Sequence, residues 1–215
     1  MSTSVPSPYH VLVTVTEPGK QARTDRRREQ ILDGAIRVFA EKGYHEAGIA
    51  DIATDLGIGH GTFYRYFANK KDIVNQAVEW AVGQITGTLI QEDPSASTTL
   101  AEHRAQIERI YLRLFMLQDQ HPHLIRFLYR QATDPAMLTL AHDRFLGYAA
   151  RFIRTGMEKK FLRPDIDVDI ASQALVAVMF DVMRRSSTAP VSIETRQRWM
   201  STGARMMLEG LQQPQ

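Results

Sequence analysis

The chain has no cysteine. Disulfides, thiolate metal sites and cysteine nucleophiles are excluded together. This composition fits a reducing compartment, and a cytoplasmic protein is expected. No apolar run approaches the ~18 residues that a membrane-spanning helix needs. The segment HVLVTVT, His10 to Thr16, is too short for a secretory apolar region and follows no basic stretch. Net charge is small as well, +2 over 215 residues. Any polyanionic partner must therefore be recognised by where the charges sit, not by their sum. Histidines are sparse, and His121-Pro122-His123 is the one close pair. It has no third ligand nearby, so it reads as a helix start rather than a metal site. Neither a nucleophile elbow nor a glycine-rich phosphate loop after a strand is present. No catalytic residue, metal or cofactor is assigned, and an enzyme is not expected.

What remains is an ordinary globular composition, 44% hydrophobic and 23% charged, long enough for one large or two small domains. No strand pattern or repeat stands out. The periodicity predicts an all-α fold of about nine helices.

One stretch organises the rest: Ile49 to Lys70, IADIATDLGIGHGTFYRYFANK. Ile49, Ile52, Ala53 and Leu56 follow helical spacing. Gly57 sits where a helix end favours positive φ, and Gly59 permits a second change of direction. A second short helix is predicted from His60 to Phe67. Phe63 and Phe67 share its buried face. Arg65, Gly61 and Thr62 lie opposite, flanked by Tyr64 and Tyr66. This is a helix-turn-helix layout with hydrogen-bonding groups outward. Arg65 suits a guanine edge, and the hydroxyls of Thr62, Tyr64 and Tyr66 suit phosphates. Spacing alone fits equally well a helical hairpin inside an all-α core.

The string Gly57-Ile58-Gly59-His60-Gly61-Thr62-Phe63-Tyr64-Arg65-Tyr66-Phe67, with Lys70, resembles the DNA-binding domain of TetR-family transcriptional regulators. The resemblance extends upstream through Arg28-Glu29-Gln30-Ile31-Leu32-Asp33-Gly34-Ala35, Phe39-Ala40-Glu41-Lys42-Gly43-Tyr44 and Ile52-Ala53, and ends near Trp80. It departs at Ala47, Gly48 and Gly59, where many members carry hydroxyl residues that cap a helix or touch phosphate. The resemblance implies DNA contacts from Arg23, Arg26, Gly59, His60, Gly61, Thr62, Tyr64, Arg65, Tyr66 and Lys70. Arg23 and Arg26 would act from a basic segment preceding helix 1, in the minor groove. Nine basic residues and eight acids between Arg23 and Asp72 nearly cancel.

In chain order, residues 1–22 read as a disordered arm rich in Pro, Ser and Thr. Residues 23–68 form the helix-turn-helix unit, with helix 1 from Thr24 to Lys42. Residues 69–215 form a helical ligand-binding and dimerisation domain. Helix 4 starts after Asn69, with Asp72 in capping-box position, and ends near Gln91. Glu92 to Ser97 reads as a polar loop. Helix 5 follows Thr99 and runs to Gln118. Helix 6 runs from Pro122 to Gln131, helix 7 from Pro135 to Lys160 with Asp134 as its cap, and helix 8 from Val168 to Arg185; helix 9 begins after Ser192 and runs to Leu211. Arg163-Pro164 is read as the break after helix 7.

Helices 8 and 9 carry surplus apolar surface. Periodicity alone assigns it equally to one chain's core or to a partner; the resemblance implies a homodimer through these helices on a palindromic operator. It also implies a small-molecule effector site among helices 4 to 8. Tyr111, Phe115, Met116, Phe127, Tyr148, Phe152, Met179 and Met183 are candidates to line it for a largely apolar effector. Arg113, His123 and Arg130 are candidates to orient a polar end. The expected function is a repressor released from its operator by that effector. The rival readings are an activator, a regulator controlled by a partner protein, or an all-α carrier or enzyme.

Overall fold

The computed structural model describes residues 18–130, 135–189 and 191–211. Among these the regular elements are all helices. The elements are α1 (Pro18–Lys42), α2 (Ile49–Asp55), α3 (His60–Tyr64), α4 (Lys70–Leu89), a 3-10 turn (Pro94–Ala96), α5 (Leu100–Gln120), α6 (Leu124–Arg130), α7 (Pro135–Glu158), α8 (Val168–Thr188) and α9 (Ile193–Leu211).

α1 begins earlier than expected. Residues 18–22, read as part of the disordered arm, are helical. Proline is at home in a first helical turn, and after Gly19 neither proline nor glycine recurs before Gly34. Residues 1–17 of the arm lie outside the described residues. The C-terminal half of α1 is the core of the small N-terminal unit: Ile31, Leu32, Ala35, Ile36 and Phe39 are all buried. Gly43, at φ 83°, ends the helix.

α4 starts as expected. The Asn69 side chain accepts the Asp72 N–H at 2.9 Å, and the Asp72 carboxylate accepts the Ala68 N–H at 2.8 Å. Thr99 caps α5 the same way, accepting the Glu102 N–H at 3.2 Å. Asp167, which the sequence reading passed over, caps α8 by accepting the N–H groups of Asp169 and Ile170, both at 3.1 Å.

Several boundaries shift. α3 stops at Tyr64, and α6 starts at Leu124 because residues 121–123 form a turn instead. α8 runs on to Thr188. α7 ends at Glu158, before Arg163-Pro164: Lys160 takes φ 60°, and the Phe161 and Leu162 N–H groups fold back onto the Gly156 carbonyl. Gly156 is needed there, since a Cβ would stand 2.7 Å from Leu162. Asp134, the expected cap, lies outside the described residues. The Glu92–Ser97 loop is not simply a surface loop, for Glu92, Pro94 and Ser97 are buried.

The two parts share one continuous apolar core, crossed by α4 and closed by α6 against α1. Phe127 of α6 packs on Phe39 of α1 at 6.2 Å between ring centres. Arg130 donates to the carbonyls of Ala40 and Glu41 at 2.8 and 2.6 Å, satisfying the end of α1. Asp33 of α1 meets His121 at 2.9 Å, and Trp80 of α4 stands edge-on to that imidazole.

Candidate nucleic-acid interface

The hairpin of α2 and α3 is built on particular contacts. Gly57 takes φ 61°, and Ile58 N–H returns to the Ala53 carbonyl at 2.9 Å. At the start of α2 no hydroxyl is available from Ala47 or Gly48. Asp51 partly replaces it, accepting the Gly48 N–H at 2.7 Å and the Lys42 ammonium at 2.7 Å. These two bonds, Lys42 first, hold its carboxyl below the usual range. Gly34 of α1 sets how close α2 can come: a Cβ there would lie 2.5 Å from Leu56 Cδ2. Sequence reading quoted Gly34 but missed this role. Its signal was a glycine inside an otherwise continuous apolar stripe. Gly59 needs no special freedom, since its φ of −72° is open to any residue.

The recognition surface sits over a sealed floor. Phe63 and Phe67 are 0% and 1% exposed, with ring centres 5.6 Å apart. Burying two such rings contributes roughly 1.5–3 kcal/mol each. Tyr64, next in the chain, is 54% exposed. His60, Gly61 and Arg65 are exposed as well, and Thr62 and Tyr66 are half-buried. A Cβ at Gly61 would meet nothing within 4 Å, which leaves room for a DNA backbone.

Charge is arranged around this surface. The two acids of α2 face α1, where Lys42 pairs with Asp51 and Arg37 with Asp55. Arg65, His60 and Lys71 make no hydrogen bond or ion pair among the described residues. The near-neutral balance thus hides a side whose cations are unpaired. Lys70 is not free: its ammonium lies 4.6 Å over the Tyr44 ring and donates to the His45 carbonyl at 3.2 Å. Arg23 and Arg26 stand on the exposed N-terminal turns of α1, not on an extended arm, and Arg23 bonds the Gly19 carbonyl at 3.0 Å.

Among helices 4 to 8 there is a small apolar cavity of about 30 Å³, lined from α4, α5, α7 and α8. Of the candidates, Tyr111, Tyr148, Phe152 and Met179 line it. Leu89, Phe145 and Leu175, which were not among the candidates, line it too. Phe115 does not line it but is buried under the Arg196 guanidinium, and Met183 is buried with its carbonyl accepting from Gln118. Two candidates are displaced. Met116 is 53% exposed on the outside of α5, and Phe127 belongs to the α1–α6 joint. Arg130 is committed to the α1 carbonyls, and Arg113 to Glu92. The Tyr111 hydroxyl is buried without a partner among the described residues, and burial pushes it up to about 12. His103, stacked on Phe152 at 3.9 Å, is pulled down to about 4, chiefly by burial, and stays neutral near pH 7. No helix of the described residues is long and apolar enough to cross a membrane.

Residues 31–77 match the family model for bacterial regulatory proteins of the tetR family. The fatty acid metabolism regulator protein of Bacillus subtilis (strain 168) is 26% identical over 149 residues, 68% of this chain and 76% of that one. The HTH-type transcriptional repressor KstR2 of Mycobacterium tuberculosis (strain ATCC 25618 / H37Rv) is 25% identical over 159 residues, 69% and 75% of the two chains. Among solved structures, the transcriptional regulator FadR from Bacillus subtilis in complex with stearoyl-CoA superposes with a TM-score of 0.70 at 20% identity, covering 85% of this chain and 98% of that one.

Proposed function

The chain is a DNA-binding transcriptional regulator of the TetR family, and on that premise we propose that it is a homodimeric repressor whose α3 holds an operator until a small molecule in the helical bundle releases it. The observation that carries this reading is the exposed Tyr64–Arg65 surface, unpaired and seated on two sealed phenylalanines. Arg65 reads a base edge; the Thr62, Tyr64 and Tyr66 hydroxyls, the backbone at Gly59 and Gly61, and His60 position the phosphates. Lys70 acts mainly by holding the Tyr44–His45 link under α3. Arg23 and Arg26 meet flanking phosphates from α1.

Dimerisation runs through α8 and α9. Ile170, Val178, Ile193 and Met206 on these helices are 65%, 43%, 71% and 72% exposed, which is wasteful unless a second copy covers them. One short recognition helix offers few contacts, while two joined copies share one binding event. The operator is then palindromic, with half-sites about 34–36 Å apart.

The effector is a long-chain acyl compound. Two observations support this class: the cavity wall is apolar, and one curated relative is a fatty acid metabolism regulator, with FadR from the same species solved holding stearoyl-CoA on the same fold. The cavity is far below the ~300 Å³ of a small-molecule site. The acyl chain must therefore part the helices around it, α4 from α5 included, and Met179 repacks around it. Release follows as a population shift, because the effector binds only the opened form. Fluorescence anisotropy with DNA from upstream of the gene tests the reading. A sequence-selected complex at low salt, dissolved by palmitoyl-CoA, is expected. A chain that stays monomeric and ignores DNA at low salt refutes it.

A further inference from the structure

α4 and α5 lie side by side and bound two different spaces. Inward, Leu89 and Ile110 face the small apolar cavity. Outward, the same helices bound an open groove of about 730 Å³. Leu112 and Met116 stand half-exposed along it, and Gly83 and Gly87 leave the α4 wall bare. Its volume falls within the roughly 300–1,000 Å³ of small-molecule sites.

Charge identifies what fits there. Arg109 and Arg113 line the groove, and both hold Glu92. Arg109 forks onto the carboxylate at 2.9 and 2.7 Å, and Arg113 reaches it at 2.5 Å. The Glu92 side chain is only 7% exposed, whereas the guanidinium-bearing side chains are 48% and 29% exposed. Two accessible cations thus share one buried anion, and their donors outnumber its lone pairs. Glu92 also lies between the two spaces. Its carbonyl accepts the Tyr148 hydroxyl at 2.7 Å, and Tyr148 lines the cavity.

We propose that this groove holds the phosphate-bearing head of an amphiphilic effector whose hydrocarbon tail enters the cavity, with Arg109 and Arg113 binding the phosphate and Glu92 as the internal anion that it displaces. The inference rests on the acyl-effector reading and deepens it. Planar guanidinium forks match phosphate as well as carboxylate, and a dianion outcompetes a single charge. Displacing Glu92 loosens the segment that directly follows α4, so head binding reaches the helix that joins the two parts of the protein.

Isothermal titration calorimetry of the full chain with palmitoyl-CoA, palmitate and CoA tests this. Palmitoyl-CoA should bind about tenfold or more tighter than palmitate, the worth of one or two charge-assisted hydrogen bonds. Arg113→Gln and Arg109→Gln should each remove most of that advantage and leave palmitate unchanged. Glu92→Gln should tighten palmitoyl-CoA severalfold, a gain that a merely structural ion pair would not give. If an arginine variant loses stability in a thermal melt, Met116→Glu serves, since an exposed side chain tolerates the change and its charge repels the head. Unchanged palmitoyl-CoA affinity in Arg113→Gln and Met116→Glu, with palmitate still bound, overturns the groove site alone. CoA binding as tightly as palmitoyl-CoA overturns the coupling to the cavity. If neither lipid binds the wild type, the acyl-effector reading falls together with the site.

Discussion

Replacing Arg65 by alanine separates recognition from folding. The side chain is exposed and makes no internal bond, so its loss should change folding stability by less than about 0.5 kcal/mol. A bidentate contact to a guanine edge is worth about 1–3 kcal/mol. Nothing preorganises Arg65 in the free protein, and ordering it on DNA costs up to about 2 kcal/mol of rotamer freedom. The net value therefore belongs in the lower half of that range, roughly 1–2 kcal/mol per copy. A dimer carries the residue twice, so affinity for the operator should fall by about 30-fold to about 1,000-fold.

The assay is anisotropy titration of operator and scrambled duplexes at matched salt, with a thermal melt of the free variant. Operator affinity should fall while affinity for scrambled DNA barely moves, since phosphate contacts supply nonspecific binding. An equal loss on both duplexes would make Arg65 a phosphate contact and refute base reading. A lowered melting temperature would mean that the side chain has a structural partner, and would refute the exposed-surface argument itself.

Gly34→Ala gains about 1 kcal/mol of helix propensity but meets Leu56 at 2.5–3.0 Å. Overpacking costs about 1–3 kcal/mol, so denaturant melts should show a net loss of up to about 2 kcal/mol. Adding Leu56→Ala should remove the clash, so the glycine change should stabilise in that background; no such coupling would refute the close α1–α2 approach. Tyr111→Phe removes a buried hydroxyl with no partner among the described residues, and calorimetry should show stabilisation by about 1 kcal/mol. A clear loss would mean that the hydroxyl is satisfied after all. Val178→Asp places a charge on the exposed α8 face, and sedimentation should show dissociation to monomers with the far-UV spectrum retained. A dimer of undiminished strength would move the interface elsewhere.

Local rules carried the sequence reading far. Asn69, Thr99, Phe63 and Phe67 act as their spacing implies, because caps and buried faces depend on residues within one or two turns. Elements failed where partners lie far apart in the chain. Glu92 read as a solvated loop acid, since nothing near it reveals that Arg109 and Arg113 fold over it. Phe127 and Arg130 looked like pocket residues because a bundle helix and a joint helix share the same periodicity. Only α1, almost ninety residues earlier in the chain, decides between them. Met116 was misplaced for a related reason: α5 has an apolar outer face as well as an inner one. Gly34 shows a third limit. Its tight contact depends on Leu56, and helical spacing describes one helix at a time.

These remote contacts also show how a ligand among helices 4 to 8 reaches DNA. The N-terminal unit has no separate core; α1 is tied to α6 by Arg130, to the α5–α6 corner by the Asp33–His121 pair, and to α4 by the Arg28–Gln76 bond. A close-packed core does not deform continuously, so shifting α4 or α6 must carry α1 with it or break these ties. Carrying α1 moves α2 through the Gly34–Leu56 contact, and α3 follows through the glycine turn. Cutting the ties should then uncouple without disabling. A variant with Asp33→Asn and Arg130→Gln should still bind operator and palmitoyl-CoA, yet need more ligand for release, because part of the effector's binding energy no longer reaches α1. Release at the wild-type ligand concentration, with both affinities unchanged, would show that the signal travels along α4 alone.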